Sequence, residues 1–162
     1  MDDLHDAVGD APRVRHATRA DLPRVVELAA QHAEYERAAP PVADLTGRLA
    51  GLLFDGPAPR LVCLLAELPG GKVAGYATCA PVLSTWDGRD YLHMDCLFLA
   101  PDHRGLGLGA LLMDAVVAEA LDRGMTEVQW QTPAWNEGAI RFYDRLGGRA
   151  MQKVRYSLPV SC

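Results

Sequence analysis

The chain has 162 residues, long enough for one domain that buries a core without disulfides or metals to staple it. Its 49% hydrophobic and 23% charged residues exclude a disordered or fibrous chain, and a formal charge of -5 excludes the basic footprint of a general nucleic-acid binder. No apolar run approaches membrane-spanning length, and the acidic opening MDDLHDAVGDAP lacks the basic and apolar regions of a secretion signal, so a soluble, cytoplasmic chain is expected.

Residues 1–12 read as a loose tail and 13–162 as the folded domain. Arg13 to Ala17 predicts a short strand. Thr18, with Asp21 three residues on, predicts the N-cap of a helix running through RADLPRVVELAAQHAEYER, whose Leu22, Val25, Val26 and Ala29 form one apolar face. AAPP at Ala38 to Pro41 breaks that helix, and VADLTGRLAGLLF predicts a second, weaker one. Arg60 to Glu67, the turn Pro69 to Gly71 and Lys72 to Ala80 predict a hairpin. Tyr91 to Leu99 predicts a third long strand after the loop STWDGRD.

A helix carrying Leu108, Leu111, Leu112, Ala115, Val116 and Glu119 follows, and Gly124 ends it. Thr126 to Thr132 predicts a strand. Asn136 then caps a helix striped by Ala139, Phe142, Tyr143 and Leu146, which Gly147 and Gly148 stop. Arg149 to Leu158 predicts a closing strand. The order is that of an α/β layer fold: a mixed central sheet, antiparallel at first, with a late βαβ unit and about four flanking helices.

Cys63, Cys79, Cys96 and Cys162 form no CxxC pair and show no zinc-ligand spacing; the first three lie in apolar runs and read as reduced thiols, and no metal site is expected. The run HRGLGLGALL, His103 to Leu112, carries the chemistry. A strand, a glycine-rich turn and a helix N-terminus make an anion site, because free N–H groups and the helix dipole point the same way. Gly105, Gly107 and Ala110 satisfy the dinucleotide pattern GxGxxA, but the run lies too late in the chain for a six-stranded doubly wound sheet. The acid expected at the end of the next strand is also missing, since Glu127 stands at its start.

Read from Arg104, the run is R-x-x-G-x-G with Gly107 and Gly109, and it resembles the acetyl-CoA pyrophosphate loop of the GNAT N-acetyltransferase superfamily. DCLFLAPDHRGLGLGALL resembles that superfamily's strand, loop and helix, and PAWNEGAIRFYDRLGGRA its later segment. The order of elements matches from about Arg13 to Leu158. AEYER, HRGLGLG and AWNEGAIRFYDRLG resemble the diamine and thialysine acetyltransferase branch most closely. Where that branch usually carries YLED, this chain has YLHMDC, with Asp95 near the expected acid.

The resemblance implies acetyl transfer from acetyl-CoA to a primary amine by direct attack. It implies that backbone groups of Gly105, Leu106, Gly107, Leu108, Gly109 and Ala110 hold the pyrophosphate. Leu97, Phe98 and Leu99 would hold the pantetheine arm through their backbone, with Arg104 beside the phosphates and Asn136 touching the CoA. Tyr143 resembles the family's general acid: a phenol near about 10 still carries a proton to give the thiolate. An alkylamine near about 10.4 arrives protonated, and an aspartate near about 3.9 is a poor base for it. Asp95 therefore binds the ammonium or passes its proton through water, while His93, two residues away on the same strand face, is a better-matched base.

Tyr35 and Glu36 resemble an acceptor-binding wall. Trp86 either lines the acceptor pocket or caps the core, and Trp130 and Gln131 face the same region. The partner implied is a small basic amine, polyamine- or thialysine-like, with an antibiotic or protein amine as the alternative acceptor. A silent CoA-binding module is the alternative of another class. A homodimer is the family's habit.

Overall fold

A computed structural model describes residues 10–161. Most of the predicted tail, and Cys162, lie outside the described residues. The chain divides into two compact units, Met1–Gln131 and Thr132–Cys162.

The first unit is built on a five-stranded sheet in the order β1-β2-β3-β4-β5. The strands are β1 (Arg13–His16), β2 (Val62–Glu67), β3 (Val73–Ser84), β4 (Arg89–Leu99) and β5 (Val128–Trp130). β1 to β4 pair antiparallel, and β5 joins β4 in parallel through the crossover helix α3 (Leu108–Asp122). Helices α1 (Leu22–Tyr35) and α2 (Leu45–Phe54) connect β1 to β2.

Alternation along the strands assigns the two faces. Leu22, Val25 and Leu28 of α1 and Leu53 of α2 pack with Cys63, Leu65, Tyr76 and Phe98. The intervening Leu64, Ala66 and Ala77 are equally buried and face the other way, where α3 seals the sheet with Leu108, Leu112 and Val116. Each fully buried leucine contributes about 1.5–3 kcal/mol, so both layers hold the sheet firmly.

Several elements differ in extent from the sequence reading. Asp21 accepts from the Thr18 N–H at 2.8 Å, as expected of the cap, but Arg19–Asp21 forms a 3-10 turn before α1 begins. Helix α1 stops at Tyr35, ahead of AAPP, because Arg37 takes a left-handed φ of 58° that no helix continues through. Helix α2 starts at Leu45. The β3–β4 hairpin is longer than expected on both strands, and β5 is shorter, leaving Gln131 beyond its end.

The second unit contains α4 (Glu137–Arg145). Asn136 caps it, its Oδ1 accepting from the Ala139 N–H at 3.3 Å, and Gly147 with a φ of 86° ends it. The strand predicted for Arg149 to Leu158 does not form: residues 149–158 have no regular structure, and Val154, Tyr156 and Leu158 are exposed. Alternation alone marks a segment fit for a ladder; it supplies no partner.

Candidate active site

The site begins with an irregularity in β4. Thr78 pairs with Cys96, but the next residue of β3, Cys79, pairs with Met94, so Asp95 is an extra residue that no residue of β3 opposes. This is a β-bulge. Across it, His93 opposite Ala80 and Cys96 opposite Thr78 lie on one face although two residues, Met94 and Asp95, separate them. His93 Nε2 is 3.9 Å from Asp95 Oδ1, and Cys96 Sγ donates to Asp95 Oδ2 at 3.7 Å. The Asp95 carboxylate is 73% exposed and His93 27%, so the acid faces solvent and the imidazole is half-sheltered. The two candidate proton acceptors are therefore together.

β5 leaves β4 at the same point. Its register covers Leu92, His93 and Met94, and Asp95 to Leu99 have no partner on β5. Along that stretch β4 presents a strand edge that β5 does not cover, of the kind that can bind an extended chain. Leu99 is a partial exception, because its carbonyl accepts from Arg104 Nε at 3.1 Å.

The glycine loop follows. Gly105 and Gly107 have φ of 77° and 79°, and a Cβ on either would meet nothing within 4 Å. These glycines answer to backbone conformation and leave open space in front of the loop. Gly107 is the N-cap of α3 and has no side chain to close the first turn, so the first N–H groups of a 15-residue helix stay available to an anion. Leu106 is exposed, Leu108 is buried beneath the turn, and Gly109 and Ala110 lie in the first turn.

Arg104 follows directly on a 3-10 turn at Pro101–His103. Its guanidinium lies over the rings of Tyr35, at 4.6 Å, and Phe98, at 5.4 Å, on the α1 side. It clamps the loop to α1. A cavity of about 550 Å³ opens beside it, with Arg24, Gln31, Glu34 and Lys72 among its walls; none of the loop glycines, Asp95 or His93 lines it.

The end of α1 carries a side-chain cluster that sequence reasoning missed. His32 stacks on Phe98, with centroids 5.0 Å apart, and lies 3.1 Å from both the Tyr76 hydroxyl and Glu36 Oε1. The i, i+4 spacing of His32 and Glu36 was legible; the Tyr76 partner, far off in sequence, was not. Burial pushes the Tyr76 phenol well above its ordinary value, so it remains a donor.

Of the remaining expected residues, Tyr35 is 42% exposed at the end of α1 and Glu36 is that helix's C-cap. Trp86, at the β3–β4 tip, is 99% exposed and so does not cap the core. Trp130 stands opposite Met94 at the end of β5. In the second unit, Asn136 is buried as a cap, and Tyr143 lies against Phe142 with centroids 5.3 Å apart. Burial holds the Cys63 and Cys79 thiols up at about 12 each, which leaves them without thiolate character at neutral pH. Among the described residues no group of three or more His, Cys, Asp or Glu is placed to hold a metal ion, and no helix is long and apolar enough to cross a membrane.

Comparison with known proteins places this architecture in a class. Residues 16–148 match the acetyltransferase (GNAT) family. The chain therefore belongs to that family and is an N-acetyltransferase. Among curated proteins it is similar to thialysine N-epsilon-acetyltransferase of Sus scrofa, 29% identical over 148 residues, covering 87% of this chain and 86% of the relative. Among solved structures, a probable acetyltransferase superposes with a TM-score of 0.77 at 20% identity, covering 93% of this chain and 99% of the other. An aminoglycoside acetyltransferase from an uncultured soil metagenomic sample, in complex with sisomicin, superposes at 0.76 and 18% identity, covering 93% and 97%. These two likenesses bear on the fold.

Proposed function

We propose that the chain transfers the acetyl group of acetyl-CoA to the primary amine of a small basic molecule, polyamine- or thialysine-like. The observation that carries this reading is the β4 bulge, which sets an exposed carboxylate and an imidazole beside the stretch of β4 that β5 leaves open. The likeness to a thialysine acetyltransferase supports the acceptor class.

Acetyl-CoA fits the residues present. The open, uncapped turn from Gly105 to Ala110 suits a pyrophosphate, and the edge of β4 at Leu97 and Phe98, beyond the reach of β5, suits the amide-bearing pantetheine. One N–H of β4 beyond the bulge polarises the thioester carbonyl. Asp95 draws the acceptor's ammonium, and its proton leaves to His93 or through water. The neutral nitrogen attacks the carbonyl carbon, the C–S bond breaks, and the departing thiolate takes a proton from the Tyr143 phenol. Glu36 and Tyr35 hold the far end of the acceptor, joined by Trp130 and Gln131. Asn136 serves as helix cap and CoA contact together.

A cytoplasmic homodimer is part of the proposal. The exposed apolar alternation of Val154, Tyr156, Leu158 and Val160, and the exposed Leu83 and Trp86, support a second copy. Trp86 contributes to the acceptor pocket. Light scattering on the purified chain reports the mass.

The test is thiol release with acetyl-CoA and a panel of polyamines, thialysine, aminoglycosides and lysine peptides. Turnover confined to small diamines and thialysine is expected. Turnover confined to aminoglycosides or peptides moves the acceptor class. Tight acetyl-CoA binding with no turnover on any amine replaces the enzyme with a CoA-binding module.

A further inference from the structure

We propose that His32 is the positioning residue for the acceptor, holding the Glu36 carboxylate in one orientation for the substrate's ammonium. The proposal rests on the amine-acetyltransferase reading above and deepens it.

The geometry leaves His32 little freedom. Its side chain is 12% exposed, one face of the ring is covered by Phe98, and both nitrogens are engaged at 3.1 Å. An ionised carboxylate only accepts hydrogen bonds, so Nε2 carries the proton shared with Glu36. In the neutral ring Nδ1 is then an acceptor, and the Tyr76 hydroxyl must be its donor. Tyr76 is itself buried at 2% exposure in the sheet, so the chain of contacts runs from the strand through a held ring to the Glu36 carboxylate at the end of α1.

Helix α1 ends at this place. Arg37 leaves the helical region immediately after Glu36, so backbone regularity does not constrain the carboxylate beyond its own residue. An i, i+4 pair between Glu36 and His32 needs no third partner to support a helix, so nothing about helix stability requires the tyrosine. A carboxylate meant to meet one ammonium does require a fixed direction, because a charge-assisted hydrogen bond depends on angle as well as distance.

The experiment uses His32→Leu, which keeps bulk against Phe98, His32→Gln, whose amide nitrogen can reach the place of Nε2, and Tyr76→Phe. Steady-state kinetics follow amine and acetyl-CoA separately. The expected result for His32→Leu is an amine KM raised roughly 10- to 100-fold, the range of one charge-assisted bond, with the acetyl-CoA KM unchanged. His32→Gln recovers most of the loss, and Tyr76→Phe loses less than His32→Leu in the same direction.

Nitrogen NMR of the imidazole in the wild-type chain gives a readout independent of turnover. A neutral ring protonated at Nε2, changed by Tyr76→Phe, is expected. An amine KM unmoved in His32→Leu while Glu36→Gln raises it overturns the positioning role. So does a ring protonated at Nδ1 alone. If His32→Leu does not fold, Tyr76→Phe and the NMR still decide. A wild-type chain that turns over no amine defeats the underlying reading instead, and the thiol-release panel reports that separately.

Discussion

The guanidinium of Arg104 stacks over the ring of Tyr35, so the arginine ahead of the glycine loop is bound to the end of α1. Its Nε bond to the Leu99 carbonyl closes the turn between them. Stacking and a planar donor are both properties of arginine that lysine lacks. Arg104→Lys is therefore expected to weaken acetyl-CoA binding nearly as much as Arg104→Ala, by roughly 3- to 10-fold. Calorimetric titration with CoA checks this. Wild-type affinity in the lysine variant would mean that charge alone acts.

Tyr143→Phe tests the proposed acid. Loss of a positioned proton donor costs about 100- to 10,000-fold in rate. The loss should fall on kcat, with the acetyl-CoA KM little changed. Single-turnover kinetics separates the chemical step from product release, and an undiminished chemical step would remove Tyr143 from the mechanism.

Asp95→Asn and His93→Gln divide the work at the bulge. If Asp95 holds the ammonium, its amide variant raises the amine KM by about tenfold or more, as expected for one charge-assisted bond. If His93 takes the proton, its variant lowers kcat and leaves the amine KM little changed. Profiles of kcat and of kcat/KM for both variants distinguish the cases. Identical behaviour would indicate that the two residues act as one unit.

Glycine at 75 and at 107 is required for different reasons. A Cβ at Gly75 would lie 2.5 Å from the Phe98 carbonyl oxygen and closer still to the Leu99 side chain, so Gly75→Ala is expected to cost about 1–3 kcal/mol or more through overpacking. At Gly107 there is space, and only the φ of 79° opposes a side chain, so Gly107→Ala costs about 1–2 kcal/mol and falls also on CoA affinity. Thermal melts with and without CoA check both, and ligand-dependent destabilisation confined to the Gly107 variant is expected.

Acid stability should depend on Arg15. This residue bonds Asp21 at 2.8 Å and Glu67 at 2.5 Å, tying β1 to the start of α1 and to β2. Its guanidinium, with Arg13 adding to the effect on Glu67, holds both carboxylates below their ordinary range. A carboxyl with a lowered folded pKa contributes stability that is complete above its unfolded value, 3.8 for Asp21, and is lost as pH falls from there through the lower folded value. The melting temperature should therefore decline below about pH 4. In Arg15→Ala the protein should start less stable and decline less steeply over the same window. Parallel curves for the two proteins would deny the linkage.

Much of the scaffold was legible because its signals are local. The Thr18 and Asp21 cap, the turn at Gly70 and Gly71, and the Asn136 cap each act within a few residues. The glycine loop was legible for the same reason. What escaped the sequence is non-local. The engagement of Arg104 with Tyr35, and of His32 with Tyr76, depends on how α1 crosses the sheet. The unformed strand at residues 149–158 shows the opposite failure: a clear period of two, with no pairing edge that the sequence could specify.

The surplus residue at Asp95 also bears on how this strand tolerates change. On an even ladder, His93 and Phe98 would sit on opposite sides, and the chemistry of one would dictate the burial of the other. Here the count restarts at the bulge, so the segment ahead of it and the segment behind it can be rewritten as separate phrases. Deleting a single residue at this point would invert one phrase against the other, sending either the imidazole or the phenyl ring to the α3 side. The length of the strand at position 95 keeps both halves in step, while the carboxylate there serves the proposed chemistry.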